Sequence, residues 1–389
     1  MSSNHPVIRV KPREGRRARA GTPWLFSNEI EMPAKTLAPG MIVSVLGDDG
    51  RVFGTGYFNP KSLIAVRLLA ASADVAIDAE FLGVKLKQAL SLREAVYRAP
   101  FYRLVNAEGD GLPGLTVDRF ADTVVVQITT AGMEALLEPL RAALDDALAP
   151  AQVVLRADSP ARALEGLDSY VRADDGGRIA VEENGVRYFA DTASGQKTGW
   201  YYDQRDNRAF VASLSRGKSV LDAYCYTGGF ALAAARAGAK EAAGLDSSAP
   251  ALALAEEAAA ANGLSCKFVK ADVFEELERL WASREQFDVV VADPPPFVKA
   301  KKDLEVGAKA YRKLARLAAS VAAPGGLLLL ASCSHNIPPE RFALECAAGI
   351  ARTGRTAKLI RQAGAGPDHP LHPMLPESAY LKALAYALD

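Results

Sequence analysis

Hydrophobic and polar positions set a regular pulse in the second half of the chain. Apolar runs of strand length end in acidic residues at Asp222, Asp246, Asp272 and Asp293, which lie 24, 26 and 21 residues apart. Between them lie alanine-rich stretches at 230–238 and 249–262, whose composition favours helix. Strand, helix, strand at this spacing predicts an α/β fold with a parallel, doubly wound sheet. A fifth strand follows at 326–332, and 356–362 with 380–388 can supply a closing pair. Upstream the rhythm changes. Short β-like runs at 43–46, 54–58 and 64–69 are punctuated by Gly47-Asp48-Asp49-Gly50 and Asn59-Pro60, as in a small barrel. Residues 76–97 turn helical, with Leu82, Leu86, Leu90 and Val96 on one face. A loop at 106–114, a strand at 123–128 and a helix around 133–148 complete a central α+β unit. Residues 179–190, interrupted by Glu183-Asn184-Gly185, predict a hairpin leading into the last domain. The expected division is 1–72, 73–183 and 184–389.

Composition narrows the class. In a chain of 389 residues that is 49% hydrophobic, two or three domains with real cores are expected. The first twenty residues are basic and polar, and the longest apolar runs, such as 327–331, fall far below the ~18 residues of a membrane span. A soluble, cytoplasmic protein is expected, with no membrane partner. Cys225, Cys266, Cys333 and Cys346 form no C-x-x-C pair and are not grouped with the four histidines, so neither a disulfide framework nor a metal site is expected. Net charge is zero, so any contact with nucleic acid must be local. Two basic patches qualify. Residues 9–19 carry Arg9, Lys11, Arg13, Arg16, Arg17 and Arg19 against one acid. Lys299, Lys301 and Lys302 follow the fourth acidic motif and precede Lys309, Arg312, Lys313 and Arg316. Such runs are also common on purely solvated faces.

Ligands of doubly wound sheets bind beyond the carboxyl ends of the strands, where the four acids would gather. A dinucleotide needs a G-x-G-x-x-G turn for its pyrophosphate, and the first turn here, Tyr224-Cys225-Tyr226-Thr227-Gly228-Gly229-Phe230, lacks that spacing. An acidic site suits a cation. S-adenosylmethionine carries a sulfonium and an ammonium but no phosphate. Asp222 would offset that charge, Gly228 and Gly229 would allow close backbone approach, and Asp246 with Ser247 and Ser248 would take the ribose hydroxyls. Asp272, Val273 and Phe274 would hold the adenine, and Asp293, Pro294 and Pro295 would close the site. Each acid taken alone could equally be a helix cap.

On these motifs the chain resembles bacterial large-subunit ribosomal RNA methyltransferases of the cytosine-5 type, which join an N-terminal PUA domain to a class I catalytic domain. The resemblance runs nearly end to end. It is carried by Gly21-Thr22-Pro23-Trp24-Leu25-Phe26-Ser27, Gly54-Thr55-Gly56-Tyr57-Phe58-Asn59-Pro60, Tyr102-Arg103-Leu104-Val105-Asn106, and Leu112-Pro113-Gly114-Leu115-Thr116-Val117-Asp118-Arg119. Gly195-Gln196-Lys197-Thr198-Gly199-Trp200-Tyr201-Tyr202-Asp203-Gln204-Arg205, the Asp-Pro-Pro-Pro-Phe run at 293–297 and Ser332-Cys333-Ser334 complete it. It implies a Rossmann-like catalytic domain ending in an antiparallel pair, S-adenosylmethionine as cofactor, ribosomal RNA as partner and a homodimer. It also implies that Gln196, Lys197 and Thr198 enter the cofactor site, although Lys197 could instead meet RNA phosphate or lie in a surface turn.

Carbon-5 of cytosine is a poor nucleophile, and a thiolate added at carbon-6 makes it reactive. The resemblance implies Cys333 as that thiolate and Asp293 as the group that hydrogen-bonds the ring, with Phe297 shaping the base pocket. The plain alternative for Cys333 is a small buried hydrophobe. Cys225 reads as a ligand contact. His335 could remove the proton or cap a turn, and Arg205 with Asp206 could pair at a helix start. Two other functions share these motifs: methylation of an exocyclic base nitrogen, with Cys333 inert, and an RNA-binding assembly factor without catalysis.

Overall fold

A computed structural model of the chain describes residues 5–33, 37–173, 177–193, 195 and 198–389. It divides into two compact units. The first comprises Met1–Gly177, Asp191–Gly199 and Pro367–Pro376, and the second Arg178–Ala190, Trp200–Gly366 and Glu377–Asp389.

The first unit holds two five-stranded sheets. One is built from β1 (Val7–Arg9), β2 (Trp24–Leu25), β3 (Met41–Leu46), β4 (Val52–Phe58) and β5 (Val66–Ala70), in the order β1-β3-β4-β5-β2, with α1 (Arg16–Arg19) between its first two strands. Alternation along these strands buries Ile8, Val43, Val45, Phe58 and Val66. Next, α2 (Ala79–Val96) leads to β6 (Phe101–Asn106), β7 (Leu115–Phe120) and β8 (Thr123–Ile128), then α3 (Ala131–Ala135), α4 (Leu137–Leu148), β9 (Gln152–Ala157), α5 (Ala161–Glu165) and β10 (Tyr170–Ala173). The second sheet runs β10-β9-β8-β7-β6. Tyr57 joins the two sheets: its buried hydroxyl donates to Pro113 O at 2.9 Å and lies 3.1 Å from Thr130 Oγ1.

Two expectations in this unit need correction. Of the stripe expected on α2, Leu82 and Leu86 are buried and Leu90 is half-buried, but Val96 is exposed. Its place on the buried face is taken by Arg93, which makes two bonds to Asp110 at 2.6 and 2.7 Å and one to Arg103 O. Burial is tolerated there because the guanidinium is fully paired. The helix expected around 133–148 is two helices that meet at Leu136, whose backbone leaves helical geometry.

The second unit begins with the hairpin β11 (Arg178–Glu183) and β12 (Val186–Asp191), turned by Asn184 and Gly185, both at positive φ (51° and 76°). The chain continues through α6 (Arg205–Ser213), β13 (Ser219–Ala223), α7 (Gly229–Arg236), β14 (Glu241–Asp246), α8 (Ala249–Asn262), β15 (Lys267–Lys270) and α9 (Val273–Ala282). It ends with β16 (Phe287–Ala292), α10 (Leu304–Ser320), β17 (Ala322–Ser332), α11 (Pro339–Ala351), β18 (Ala357–Ala363) and β19 (Lys382–Leu388). The sheet order is β15-β14-β13-β16-β17-β19-β18; all pairs through β17 are parallel, and β19 is antiparallel to both neighbours. The doubly wound sheet and its antiparallel closing pair are therefore as expected. The strand order reverses at β13, which pairs with both β14 and β16 and so places the switch-point crevice at its carboxyl end. Two segments within the range expected for this domain, Asp191–Gly199 and Pro367–Pro376, belong to the first unit. In the latter, Asp368 is buried, accepting from Arg103 N at 3.1 Å, while its carbonyl accepts from Arg93 at 2.9 Å.

Helix α10 passes so close beneath the loop after β16 that a Cβ on Gly307 would stand 2.6 Å from Phe297 O and 2.5 Å from a Val298 methyl. Gly307→Ala should therefore displace that loop and cost about 1–3 kcal/mol in chemical denaturation. Unchanged stability would contradict this close packing.

Candidate active site at the carboxyl edge of the parallel sheet

Asp222 occupies the last turn of β13 with no solvent-exposed surface. Its Oδ2 accepts from the amides of Phe230 (3.1 Å) and Ala231 (2.9 Å), tying the strand end to the first turn of α7. Its Oδ1 is buried with no hydrogen-bond partner, and so is Thr227 Oγ1 in the same loop. Burial pushes the Asp222 carboxyl up to about 7; Asp293 and Asp246 push in the same direction, and the two amides oppose them. Three of the four acids thus act on one another across the crevice.

The loop between β13 and α7 bends sharply. Tyr224 and Tyr226 take positive φ (66° and 49°), as does Gly228 (80°). A Cβ on Gly228 would also meet Phe268, Ala255 and Leu232 at 3.0–3.1 Å, so glycine serves both conformation and packing. Asp246 secures the loop from the next strand: Oδ2 accepts from Tyr226 N and Oδ1 from Ser248 N, both at 2.9 Å. Ser248 caps α8, Asp272 caps α9 through its bond from Glu275 N (3.1 Å), and Ser247 is exposed. Asp222, Asp246 and Asp272 therefore each do the structural work of holding a loop or helix start, while standing at the strand ends.

Several expected contacts are arranged differently. Phe230 and Val273 turn their side chains into the core, so toward the crevice they offer backbone only. Cys225 is buried, and its Sγ lies under 3 Å from where a Cβ on Gly244 would stand. Burial drives its thiol well above the ordinary range. Thr198 is buried in the first unit, with its hydroxyl 2.5 Å from Asp118 Oδ2. Gln196 and Lys197 lie outside the described residues. Arg205 pairs with Glu183 of the hairpin at 3.3 Å, where a pair with Asp206 had been an option.

Beyond β16, Asp293 is half-buried, Pro294 is buried and Pro295 is exposed. Gln204 Nε2 donates to Asp293 Oδ2 at 2.9 Å, and Gln204 is itself steadied by Asn207 (2.6 Å). Phe297 is half-buried in a row of rings: its centroid is 5.9 Å from Phe274 and 4.8 Å from Tyr311, which in turn is 5.1 Å from Phe342. The loop after β17 carries Cys333, half-buried, between two buried serines. Tyr311 Oη accepts from Ser332 Oγ (2.7 Å) and lies 2.9 Å from Ser334 Oγ; Phe297 N donates to it at 3.4 Å, and Val298 N donates to Ser334 Oγ at 3.3 Å. One phenol thus joins the two loops that carry Asp293 and Cys333. Tyr201 sits close to Tyr226, edge to face at 5.3 Å, and its phenol is pushed up first by burial, then by the charges of Tyr226, Asp203, Asp293 and Cys333. His335 is exposed, with its ring 5.2 Å from Tyr380, whose hydroxyl donates to Asp203 (2.6 Å).

Gln204, Tyr201 and Tyr311 were not singled out from sequence. Gln204 and Tyr201 lie within the Gly195–Arg205 element that carries the resemblance, though without an assigned role, whereas Tyr311 stands inside an ordinary amphipathic helix and carries no local signal. The basic patches divide. Arg9, Arg13, Arg16 and Arg17 are exposed, whereas Lys11 donates to Asn28 O, and Arg19 donates to Glu14 O and lies over Phe53. Lys299, Lys301 and Lys302 are exposed, whereas Arg312 pairs with Glu345 and Lys313 with Glu278.

An acidic crevice with an orphaned buried carboxylate oxygen, walled by a tight positive-φ loop and lacking a phosphate-binding turn, fits the cationic cofactor of methyl transfer. The family profile of S-adenosylmethionine-dependent methyltransferases matches residues 140–387, and that of the PUA-like domain matches residues 8–71. The chain belongs to this S-adenosylmethionine-dependent methyltransferase family, with a PUA-like domain ahead of the catalytic one. It is 37% identical to ribosomal RNA large subunit methyltransferase I of Shewanella amazonensis, over 97% of this chain and 98% of that protein. The protein of the same name from Aeromonas salmonicida is 36% identical over 93% and 94%. Among solved structures, SMU.776 complexed with SAH superposes with a TM-score of 0.84 at 21% identity, covering 98% of this chain and 100% of that one, which shows a shared fold. No helix among the described residues is long and apolar enough to cross a membrane.

The raised Asp222 carboxyl carries a signed consequence. Its folded value, about 7, exceeds its ordinary 3.8, so the stability of the cofactor-free protein that depends on it is full below that ordinary value and is lost as pH rises toward 7. Asp222→Asn should match wild type near pH 4, gain a growing advantage up to pH 7 of about 2–4 kcal/mol, and hold it above. Thermal unfolding across this range checks it; a pH-independent difference would exclude the burial account.

Proposed function

We propose that this protein methylates carbon-5 of a cytosine in large-subunit ribosomal RNA through a covalent adduct with Cys333. The observation that carries the reading is the placement of Cys333 at the carboxyl edge of β17, beside β16 and the Asp293 that follows it. β16 and β17 pair in parallel up to Ala292 and Leu330, so Asp293 and Cys333 leave the sheet on the same edge. The other cysteines are poorly placed for nucleophilic work. Burial raises all three thiols: Cys266 to about 11, and Cys225 and Cys346 well above the ordinary value. The names of the curated relatives support ribosomal RNA as substrate.

Bound S-adenosylmethionine supplies an electrophilic methyl group. In the proposed reaction the Cys333 thiolate bonds to carbon-6, and the electron pair released at carbon-5 takes the methyl. A base then accepts the carbon-5 proton, and the carbon-6 to sulfur bond breaks to return the thiolate. Asp293, oriented by Gln204, is placed to hold the base edge. The exposed arginines of 9–19 and the lysines at 299–302 are suited to phosphate contacts on the PUA-like and catalytic parts. Within this reading, residues 1–72 serve RNA recognition, 73–183 a central scaffold and 184–389 catalysis. The homodimer rests on the family resemblance.

RNA carrying 5-fluorocytosine at the target should become covalently trapped, because carbon-5 then has no proton to release. We expect a denaturation-resistant complex with wild type and with Asp293→Asn at a rate lowered about 100-fold or more, and none with Cys333→Ala. Methyl transfer by Cys333→Ala at the wild-type rate would point instead to an exocyclic nitrogen as acceptor.

A further inference from the structure

β19 is apolar along its length apart from its first residue, Lys382, which is 8% exposed. It stands directly opposite Ser332 in the antiparallel pair with β17, so its side chain starts one residue from Cys333 on the neighbouring strand. Its ammonium donates to Ser334 O at 2.6 Å and to Ile337 O at 3.0 Å, the carbonyls that frame the loop just after Cys333. No carboxylate among the described residues pairs with it. Burying a lysine with only two carbonyl partners is costly, and a methionine or leucine would fill the same strand position at lower cost. The third N–H and the uncompensated charge call for an anion close by.

We propose that Lys382 is the positioning residue of Cys333: it holds the nucleophile loop by two carbonyls and supplies the positive charge that stabilises the thiolate. The inference rests on Cys333 acting as the nucleophile. The groups on which that thiol acts are Tyr201 from the segment before α6, Tyr311 from α10 and Lys382 from β19, with Asp293 at the end of the neighbouring strand and His335 in its own loop. Burial holds the Tyr201 and Tyr311 phenols in their neutral form. His335 is exposed. Lys382 is thus the buried cation of the set. Burial lowers its own titration, and the charge of Cys333 opposes that fall; the same attraction favours the thiolate in return.

The test is the pH dependence of Cys333 alkylation by iodoacetamide, read by peptide mass so that the other cysteines do not interfere, in the cofactor-free full-length protein. In wild type the midpoint should lie below the ordinary thiol value of about 8.5; a midpoint at or above it overturns the proposal with no variant needed. Lys382→Met and Lys382→Gln, each checked for folding by thermal unfolding and S-adenosylhomocysteine binding, should raise the midpoint by about one unit or more and slow alkylation at pH 7 roughly tenfold. An unchanged midpoint in a folded variant shows a loop tether only and refutes the charge role. The alkylation profile needs no turnover, so it stands apart from the nucleophile assignment: if Cys333→Ala still methylates, the reaction reading fails whatever the midpoint shows.

Discussion

A carboxylate with no water around it governs this active site. Asp222 spends one oxygen on the first amides of α7 and leaves the other buried and unbonded. Burial above all, with the fields of Asp293 and then Asp246 added, makes ionising it unfavourable until a cation arrives. The sharp loop at 224–228 follows the acid and is held by Asp246 through the Tyr226 amide, and β13 stands at the switch point because it pairs with both β14 and β16. Stability is sacrificed locally for a site that selects positive charge.

On the other side of β13 a second arrangement depends on the first. Asp293 reaches the same crevice from β16, and Tyr311 binds its loop to that of Cys333 through both flanking serines. Small residues permit this compactness: Gly307 lets α10 press against Phe297, and the Tyr311 phenol then reaches three partners. The cofactor crevice and the Cys333 loop are thereby parts of one framework rather than neighbours by accident. A substitution in α10, remote from the strand ends in sequence, acts on both.

Much of the second unit is legible in the chain because its signals are local. The alanine-rich segment 249–262 is helical over that same range, bounded by a Ser248 cap and Gly263 at positive φ, and the acids fall at strand ends because doubly wound sheets put polar turns there. What escaped notice depends on partners far away in sequence. Arg93 reads as a polar interruption of an apolar stripe until Asp110 and the carbonyl of Asp368 are seen around it. Lys382 reads as the polar first residue of a strand until the loop after Cys333 closes over it. The excursion of 367–376 into the first unit has no periodic signature, since it is held by backbone and ion contacts rather than by a hydrophobic face. At Asp246 and Asp272, helix capping and a ligand role were equally readable; Asp272 is a cap, while Asp246 holds the amide of Ser248, the residue that caps α8.

The central claim is the identity of the methylated atom. The most direct measurement is nucleoside digestion and mass spectrometry of unmodified large-subunit ribosomal RNA after incubation with the protein and labelled S-adenosylmethionine. The account predicts label in 5-methylcytidine; label on an exocyclic amino group, or none in RNA or ribosomal particles, would contradict it.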